Sequence, residues 1–323
     1  MLKYLVIQLD DSATSYCHYE NTNSERNLIP IEILKGGILF GMKENLMIQY
    51  IFPEYELPLE YLNLIDSIDN SKIASSGSLY AQIADIVVLN GWDKNYVFTD
   101  KKVYVIRIDK STLFEKYNEL IEVLKTSSRL NIVITDIDGF DDADFDTYKS
   151  VLRAFGDELQ KLYINGLFPQ LNLLTDRMML DEMNNCNAGS ECITLAPDGN
   201  FYVCPAFYVC DENEDYGLGY SKFSIGSLAT GVDIKNAQLY KLSHAPICRN
   251  CDAYQCRRCV WLNRKTTYEI NTPSREQCVV AHMERNASRD LLMNIRKQMV
   301  FLPDKEDIKD ISYLDPYDAR NEL

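Results

Sequence analysis

The sequence contains no long hydrophobic segment. No run approaches the roughly 18 to 20 apolar residues that are needed to cross a bilayer. The first nine residues meet Asp10 and Asp11 too early to form the apolar core of a signal peptide. We therefore expect a cytoplasmic protein without membrane association, in a compartment where thiols stay reduced.

The sequence is also poor in positive charge and in nucleotide-binding motifs. Lys and Arg total 33 against 48 Asp and Glu, which gives a formal net charge of −15. This charge repels phosphate backbones, and no basic patch offsets it. Neither of the phosphate-binding motifs GxxxxGK[ST] and GxGxxG occurs in the sequence, so no motif supports nucleotide binding. We expect no nucleic-acid partner, and a neutral or cationic partner such as a peptide suits the negative field better.

The first 180 residues alternate strand and helix patterns. Short apolar runs rich in β-branched and aromatic residues predict six strands, at residues 4–9, 46–52, 85–89, 103–108, 131–137 and 170–174. Amphipathic stripes predict helices at residues 31–42, 59–68, 111–127 and 145–164. This alternation indicates a parallel βα array, which is either an open doubly wound sheet or a partial barrel.

Short-range signals predict where several elements begin and end. Thr112 and Glu115 form a capping-box pattern at the start of one helix, and Asn165-Gly166 supplies a left-handed cap after another. Asp198-Gly199 predicts the turn of a hairpin over residues 193–203. Gly36-Gly37 weakens the helix prediction at residues 31–42. A further helical stripe runs over residues 275–301.

Cysteines are concentrated in the second half of the chain. Nine of the ten lie between residues 186 and 278, and two Cys-x2-Cys pairs stand within CRNCDAYQCRRC, residues 248–259. Two residues between cysteines allow both thiolates of a turn to bind one metal. We interpret these residues as ligands of zinc or of iron–sulfur clusters, each of which takes four cysteines. Only four residues separate the two pairs, which favours ligation shared between two centres.

This cysteine order resembles the SPASM domain of radical SAM enzymes that mature peptides and proteins. The matching pattern reads Cys186-x12-Gly199-x4-Cys204, then Cys248-x2-Cys251-x4-Cys256-x2-Cys259, then Cys278. The spacers x4 and x2 replace the usual x5 and x3, and the order is kept. The resemblance implies two [4Fe–4S] clusters with interleaved ligands. One set is Cys186, Cys192, Cys204 and Cys259, and the other is Cys248, Cys251, Cys256 and Cys278. Cys210 is left over.

The radical SAM resemblance extends to the first half, with two departures. The family carries C-x3-C-x-aromatic-C after its first strand. When Cys17 is aligned with the third cysteine, Tyr16 is the aromatic residue, but Asp10 and Thr14 occupy the first two cysteine positions. After the second strand, a Gly-Gly-Glu segment is replaced by IFPEYELP, which keeps only Glu54. We expect no working site for S-adenosylmethionine cleavage.

Radical SAM enzymes have a six-stranded βα partial barrel, so the resemblance implies an α/β protein with a (β/α)6 partial TIM-like barrel. Residues 1–180 form the degenerate barrel, residues 181–285 a SPASM-like iron–sulfur domain, and residues 286–323 a helix with a loosely attached acidic tail. The pattern resembles that of maturases of CXXX-repeat peptides. This resemblance implies a role in the maturation of a ribosomally made peptide, and cysteine-rich peptides are among the candidate substrates. The chain would bind the precursor or transfer electrons, alone or with a partner modification enzyme.

Two other hypotheses remain open at this stage. Cys17 is a candidate reactive thiol of a peptide-modifying enzyme, although its neighbour His18 points away from it in an extended segment. The chain is alternatively a zinc-stapled interaction module. His244 and His282 each lie four residues from a cysteine and are candidates for contact with a metal centre.

Overall fold

The computed structural model describes residues 1–209, 223–309, 311 and 313–317. Cys210 and the end of the acidic tail lie outside the described residues. Within them, the strands are β1 (Tyr4–Gln8), β2 (Met47–Ile51), β3 (Asn70–Ser75), β4 (Ile86–Asn90), β5 (Val103–Ile108), β6 (Arg129–Ile134), β7 (Gln170–Leu171), β8 (Cys192–Leu195), β9 (Phe201–Tyr202), β10 (Gly226–Ser227) and β11 (Gly231–Val232). The helices are α1 (Ile31–Lys43), α2 (Leu59–Ile65), α3 (Lys110–Leu124), α4 (Asp142–Ile164), α5 (Thr175–Met179), α6 (Ala206–Val209), α7 (Val260–Thr267) and α8 (Arg275–Arg296).

A sheet of nine strands, β1 to β9, organises the fold. Strands β1 to β7 follow their sequence order, and β8 pairs with the other side of β1. The pairs from β1 to β4 and from β5 to β7 are parallel. A doubly wound sheet would reverse its order at a switch point, whereas sequential order is that of a barrel-type βα array. The predicted α/β class is confirmed, and the order is consistent with a partial barrel.

The chain divides into two compact units. The first contains Met1–Val88 and Cys186–His244, and the second contains Leu89–Asn185 and everything from Ala245 onward. Both units therefore combine segments from the two halves of the chain. The domain limits at residues 180 and 285 stay a prediction.

In the first unit, helix α1 packs closely on the sheet. A Cβ atom at Gly37 would overlap the side chain of Leu195 in β8, and one at Gly41 would lie 2.6 Å from Ile48 Cδ1 in β2. Both glycines are buried. Glycine in this helix therefore permits close approach, which explains why the helix persists through Gly36-Gly37. Strands β8 and β9 form the predicted hairpin, and Gly199 has the positive φ of 81° that its turn requires.

In the second unit, α4 and α8 are the long helices. Asp141 and Asp144 form a reciprocal capping box at the start of α4, and Gly166 just beyond its end has φ 82°. The capping box predicted for Thr112 and Glu115 is wrong. Asp109 caps α3 instead, because its carboxylate accepts a hydrogen bond from the Thr112 backbone N–H at 2.7 Å.

Strand β3 was absent from the predicted set. Its sequence, NSKIAS, is polar in its first half and lacks the apolar run expected of a buried strand. The hydrogen-bond ladders to β2 and β4 nevertheless hold it extended. The strand predicted at residues 170–174 ends at Leu171, because the chain turns there and the Leu174 N–H donates to the Leu171 carbonyl at 3.1 Å.

The described part of the tail is held in place and is not loosely attached as predicted. Arg275 forms an ion pair with Asp315, with 2.7 Å between Nε and Oδ2. The Tyr317 hydroxyl donates to the Pro273 carbonyl at 2.6 Å. These contacts fix residues 313–317 beside the start of α8.

Candidate metal centres

Four cysteines of the second unit line one cavity. Cys248 lies in a short 3-10 helix (Cys248–Asn250), Cys251 and Cys256 follow in the loop, and Cys278 lies in the first turn of α8. The cavity has a volume of about 150 Å³, and Arg258 and His282 also line it. The structure thus brings together the complete second set of predicted ligands.

Ion pairs and hydrogen bonds hold residues 248–259, the cysteine loop, against α8. Arg285, which is fully buried, donates from Nε to Asp252 Oδ1 at 2.8 Å, and Arg177 Nη2 reaches Asp252 Oδ2 at 3.2 Å. Gln255 Nε2 donates to the Ala281 carbonyl at 2.6 Å. These contacts fix the position of the loop relative to α8 and α5.

Backbone and side-chain groups also contact the sulfur atoms. The Ala253 N–H donates to Cys251 Sγ at 3.5 Å, and the Arg258 N–H donates to Cys256 Sγ at 3.4 Å. His282 Nε2 lies 3.5 Å from Cys251 Sγ, while its Nδ1 lies 2.6 Å from the Leu314 carbonyl oxygen. Because a carbonyl only accepts, Nδ1 carries the hydrogen. His282 therefore links the tail to the cysteine loop.

Burial makes these thiols weak acids when no metal is bound. Burial raises the pKa of Cys248 to about 11, against an opposing effect of the Arg258 charge. Burial also raises the pKa of Cys256 and of Cys278, and nearby cysteines add to both shifts. Thiolates at these positions therefore need bound cations to form near neutral pH.

Four thiols around one cavity are a donor set that metal centres take. Over the ranges that the structure describes, no three His, Cys, Asp or Glu side chains are close enough to share one metal ion. In a cubane, each of four thiolates binds a different iron. The four thiols stand around a cavity, and this donor set fits a [4Fe–4S] cluster.

Three cysteines of the other predicted set lie in the first unit. Cys192 opens β8 opposite Tyr4 of β1, Cys204 follows β9, and Cys186 is exposed. Cys259, the fourth member, belongs to the second unit and precedes α7.

Cys17 lies close to Cys192 in the first unit. Burial raises the pKa of Cys192 to about 12, and charges on Cys186 and Cys17 raise it further. Burial also raises the pKa of Tyr16, and the charges on Cys17, Tyr19, Cys192 and Cys204 add to this shift. The pattern of the sequence assigned Cys17 to a separate loop and did not indicate this proximity.

Asp10 and Thr14, which stand where the radical SAM family has its first two cysteines, are both buried. Asp10 is fully buried, and its carboxylate accepts hydrogen bonds from the Ser12 N–H at 2.9 Å and the Tyr55 hydroxyl at 2.6 Å. Thr14 is also buried. Tyr55 belongs to the segment after β2. The Asp10–Tyr55 hydrogen bond therefore joins the loops after β1 and β2, which carry the cluster and cofactor motifs in radical SAM enzymes. Glu54 accepts a hydrogen bond from the Ser75 hydroxyl.

The two remaining histidines lie in the first unit. His18 is half-buried in the loop after β1, and His244 ends a 3-10 helix (Leu242–His244), with its Nδ1 3.1 Å from the Ser243 hydroxyl. Their positions assign neither histidine to the four-thiol cavity.

Comparison with solved structures reveals a shared fold. Histidine-tagged anSMEcpe with bound AdoMet has a TM-score of 0.62 and 14% identity, over 93% of this chain and 96% of that chain. Native anSMEcpe with bound AdoMet and the Cp18Cys peptide has a TM-score of 0.62 and 12% identity, over 93% and 100%. anSMEcpe is a radical SAM and SPASM-domain sulfatase maturase. The chain has a radical SAM-like fold.

Sequence comparisons add no family. No family model matches the chain, and no curated protein matches it by sequence. At 12–14% identity the likeness extends to the radical SAM-like fold alone. Among the described residues, no helix is long and apolar enough to span a membrane.

Proposed function

We propose that this chain is an iron–sulfur protein of peptide maturation that does not cleave S-adenosylmethionine. It binds a precursor peptide, transfers electrons through two auxiliary clusters, or does both, alone or with a partner modification enzyme. The observation that carries the proposal is the cavity lined by Cys248, Cys251, Cys256 and Cys278. A bound [4Fe–4S] cluster supplies one-electron redox chemistry there.

Two further observations support the details. The buried Asp10 accepts its hydrogen bond from Tyr55 where a cluster-binding cysteine would be required, which argues against S-adenosylmethionine cleavage. anSMEcpe has been crystallised with the Cp18Cys and Kp18Cys peptides, and the net charge of −15 here suits a neutral or cationic peptide. The narrower assignment to CXXX-repeat peptide maturases rests on the cysteine pattern and the degenerate loop.

The ligand assignment is tested by iron content. After anaerobic purification, the wild-type chain should bind iron and sulfide in the amounts of two four-iron clusters. Cys278→Ser should lose about half of the iron, because each cluster needs four thiolates. Cys17→Ser is the matched control and should keep the iron content. Zinc without iron in the wild-type protein would instead support a zinc-stapled interaction module.

The absence of S-adenosylmethionine cleavage has its own assay. The iron-loaded protein is reduced with dithionite and incubated with S-adenosylmethionine, and 5′-deoxyadenosine is measured by chromatography. No product above that of the protein-free control is expected, because Asp10 and Thr14 replace two cluster ligands. Catalytic formation of 5′-deoxyadenosine would refute this part of the proposal.

Cys17 supports a second candidate, a thiol-dependent peptide-modifying enzyme. The interaction of Cys17 with Cys192 and Tyr16 gives the thiol a defined environment near the predicted cysteine set. If Cys17 performs chemistry, Cys17→Ala should abolish modification of a co-expressed precursor while iron content is kept. Full modification by Cys17→Ala would eliminate this candidate.

A further inference from the structure

Arg258 has an unusual backbone conformation inside the cysteine loop. Its φ is 44°, in the left-handed region that disfavours arginine and favours glycine or asparagine. Its side chain is nevertheless almost completely buried, with 1% of the residue exposed. The neighbouring Arg257 is exposed. A strained conformation that buries a charged side chain is a pattern found at functional sites.

The conformation directs two groups of Arg258 toward the four-thiol cavity. Its backbone N–H donates to Cys256 Sγ at 3.4 Å. Its guanidinium is oriented by Asn185, whose Oδ1 accepts from Nε at 2.8 Å. Asn185 is itself buried. Arg258 thus lines the cavity with a side chain whose direction is fixed.

Two other buried or half-buried cations near the cavity, Arg285 and Arg177, are paired with a carboxylate. Asp252 faces Arg285 and Arg177, and these contacts hold the loop to α8 and α5. Arg258 is buried and lines the same cavity as the four thiols. A buried cation favours negative charge nearby more strongly than an exposed one does.

We propose that Arg258 sets the reduction potential of the cluster held by Cys248, Cys251, Cys256 and Cys278, as a positioning residue that supplies a buried cation and an N–H···S hydrogen bond. This inference rests on the proposed function. Reduction adds one electron and therefore one negative charge to the site. Net charge and hydrogen bonds to sulfur are two of the factors that control cluster potentials. Arg258 thus favours the reduced state and makes the potential less negative.

The test is a redox titration of the purified, iron-loaded protein, with dithionite as reductant and electron paramagnetic resonance as readout. The relevant signal is the one that Cys278→Ser removes, which distinguishes it from the signal of the other cluster. Arg258→Gln should shift the midpoint potential to a more negative value, whereas Arg258→Lys should remain near wild type. Arg257→Gln, the exposed neighbour, should shift neither signal.

Iron content separates the failures of the two proposals. A wild-type protein without iron and sulfide would refute the proposed function. Full iron content in Arg258→Gln with a wild-type potential would refute the role of Arg258. If Arg258→Gln loses its iron, Asn185→Ala decides, because it removes the acceptor of the Arg258 Nε–H and keeps every residue of the cysteine loop. A more negative potential in that variant would support the proposal, and an unchanged potential would refute it.

Discussion

Asp10 shows how a single residue can close a site. Its buried carboxylate accepts from the Tyr55 hydroxyl, and Arg26 stacks 4.4 Å above the Tyr55 ring. Hydrogen bonds to charged groups contribute more to the stability of the fold than hydrogen bonds between neutral groups do. Leaving a buried carboxylate without a hydrogen-bond donor is also costly in free energy. This contact stabilises the loop after β1 in the conformation that buries Asp10.

Removing the Tyr55 hydroxyl should destabilise the protein. We expect Tyr55→Phe to lower the free energy of unfolding by about 1–3 kcal/mol, measured by urea denaturation of matched preparations. Tyr268→Phe is the control, because Tyr268 is 73% exposed, and it should change stability by less than about 0.5 kcal/mol. Equal effects of the two substitutions would contradict a structural role for the Asp10–Tyr55 bond.

Glu284 is a buried acid whose protonation should make stability depend on pH. Burial raises its pKa to about 7 from the ordinary 4.5, hydrogen bonds from Tyr148 and Gln255 act against this shift, and the charge of Asp176 adds to it. Tyr148 Oη lies 2.6 Å from Oε1 of the carboxyl group. Between pH 4.5 and about 7 the folded protein holds a proton that the unfolded chain releases. The contribution of Glu284 to stability is therefore lost as pH rises through this window.

Replacing Glu284 with a neutral amide should remove that loss. Glu284→Gln should gain stability relative to wild type between about pH 5 and pH 8, since each pKa unit corresponds to about 1.4 kcal/mol. The measurement is urea unfolding of both proteins across this range. Parallel stability profiles of variant and wild type would mean that Glu284 does not titrate there.

At the scale of elements, two helices have an interior glycine in different surroundings. Gly37 of α1 lies against Leu195, whereas a Cβ added at Gly156 of α4 would meet nothing within 4 Å. Glycine is otherwise unfavourable in a helix interior, because it loses more backbone entropy than alanine does. The cost in α1 is offset by its close packing on β8.

Substitution by alanine should therefore have opposite effects at these sites. Gly37→Ala should destabilise the protein by about 1–3 kcal/mol through overpacking, and Gly156→Ala should stabilise it by up to about 1 kcal/mol. Thermal or urea unfolding of both variants provides the measurement. Stabilisation by Gly37→Ala would show that α1 can move away from the sheet at little cost.

At the scale of the whole molecule, bound iron should add stability to a fold that the loop contacts also hold together. Ligands that bind the folded state and not the unfolded one shift the folding equilibrium. Anaerobic removal of iron should therefore lower the urea midpoint while the far-ultraviolet circular dichroism stays native. Cys278→Ser should lose less stability on iron removal than wild type does. Identical unfolding curves of the iron-loaded and iron-free wild-type protein would contradict metal binding in the folded state.

The sequence by itself determined the features that depend on near neighbours. The βα alternation, the Asp198-Gly199 hairpin and the cap after α4 follow from propensities and turn chemistry within a few residues. The grouping of cysteines was readable for the same reason, because Cys-x2-Cys is a local pattern. The assignment of these cysteines as cluster ligands stays a prediction.

Only the tertiary structure decided the features that depend on distant partners. The family resemblance implied that Cys278 belongs with Cys248, and the structure supplies the physical cause: α8 packs against the cysteine loop, which the Arg285–Asp252 pair holds in place. The extended conformation of β3 and the attachment of the tail also come from pairing with remote segments. Such contacts offset the entropy of closing long loops only when the whole chain is folded. Local sequence patterns do not record them.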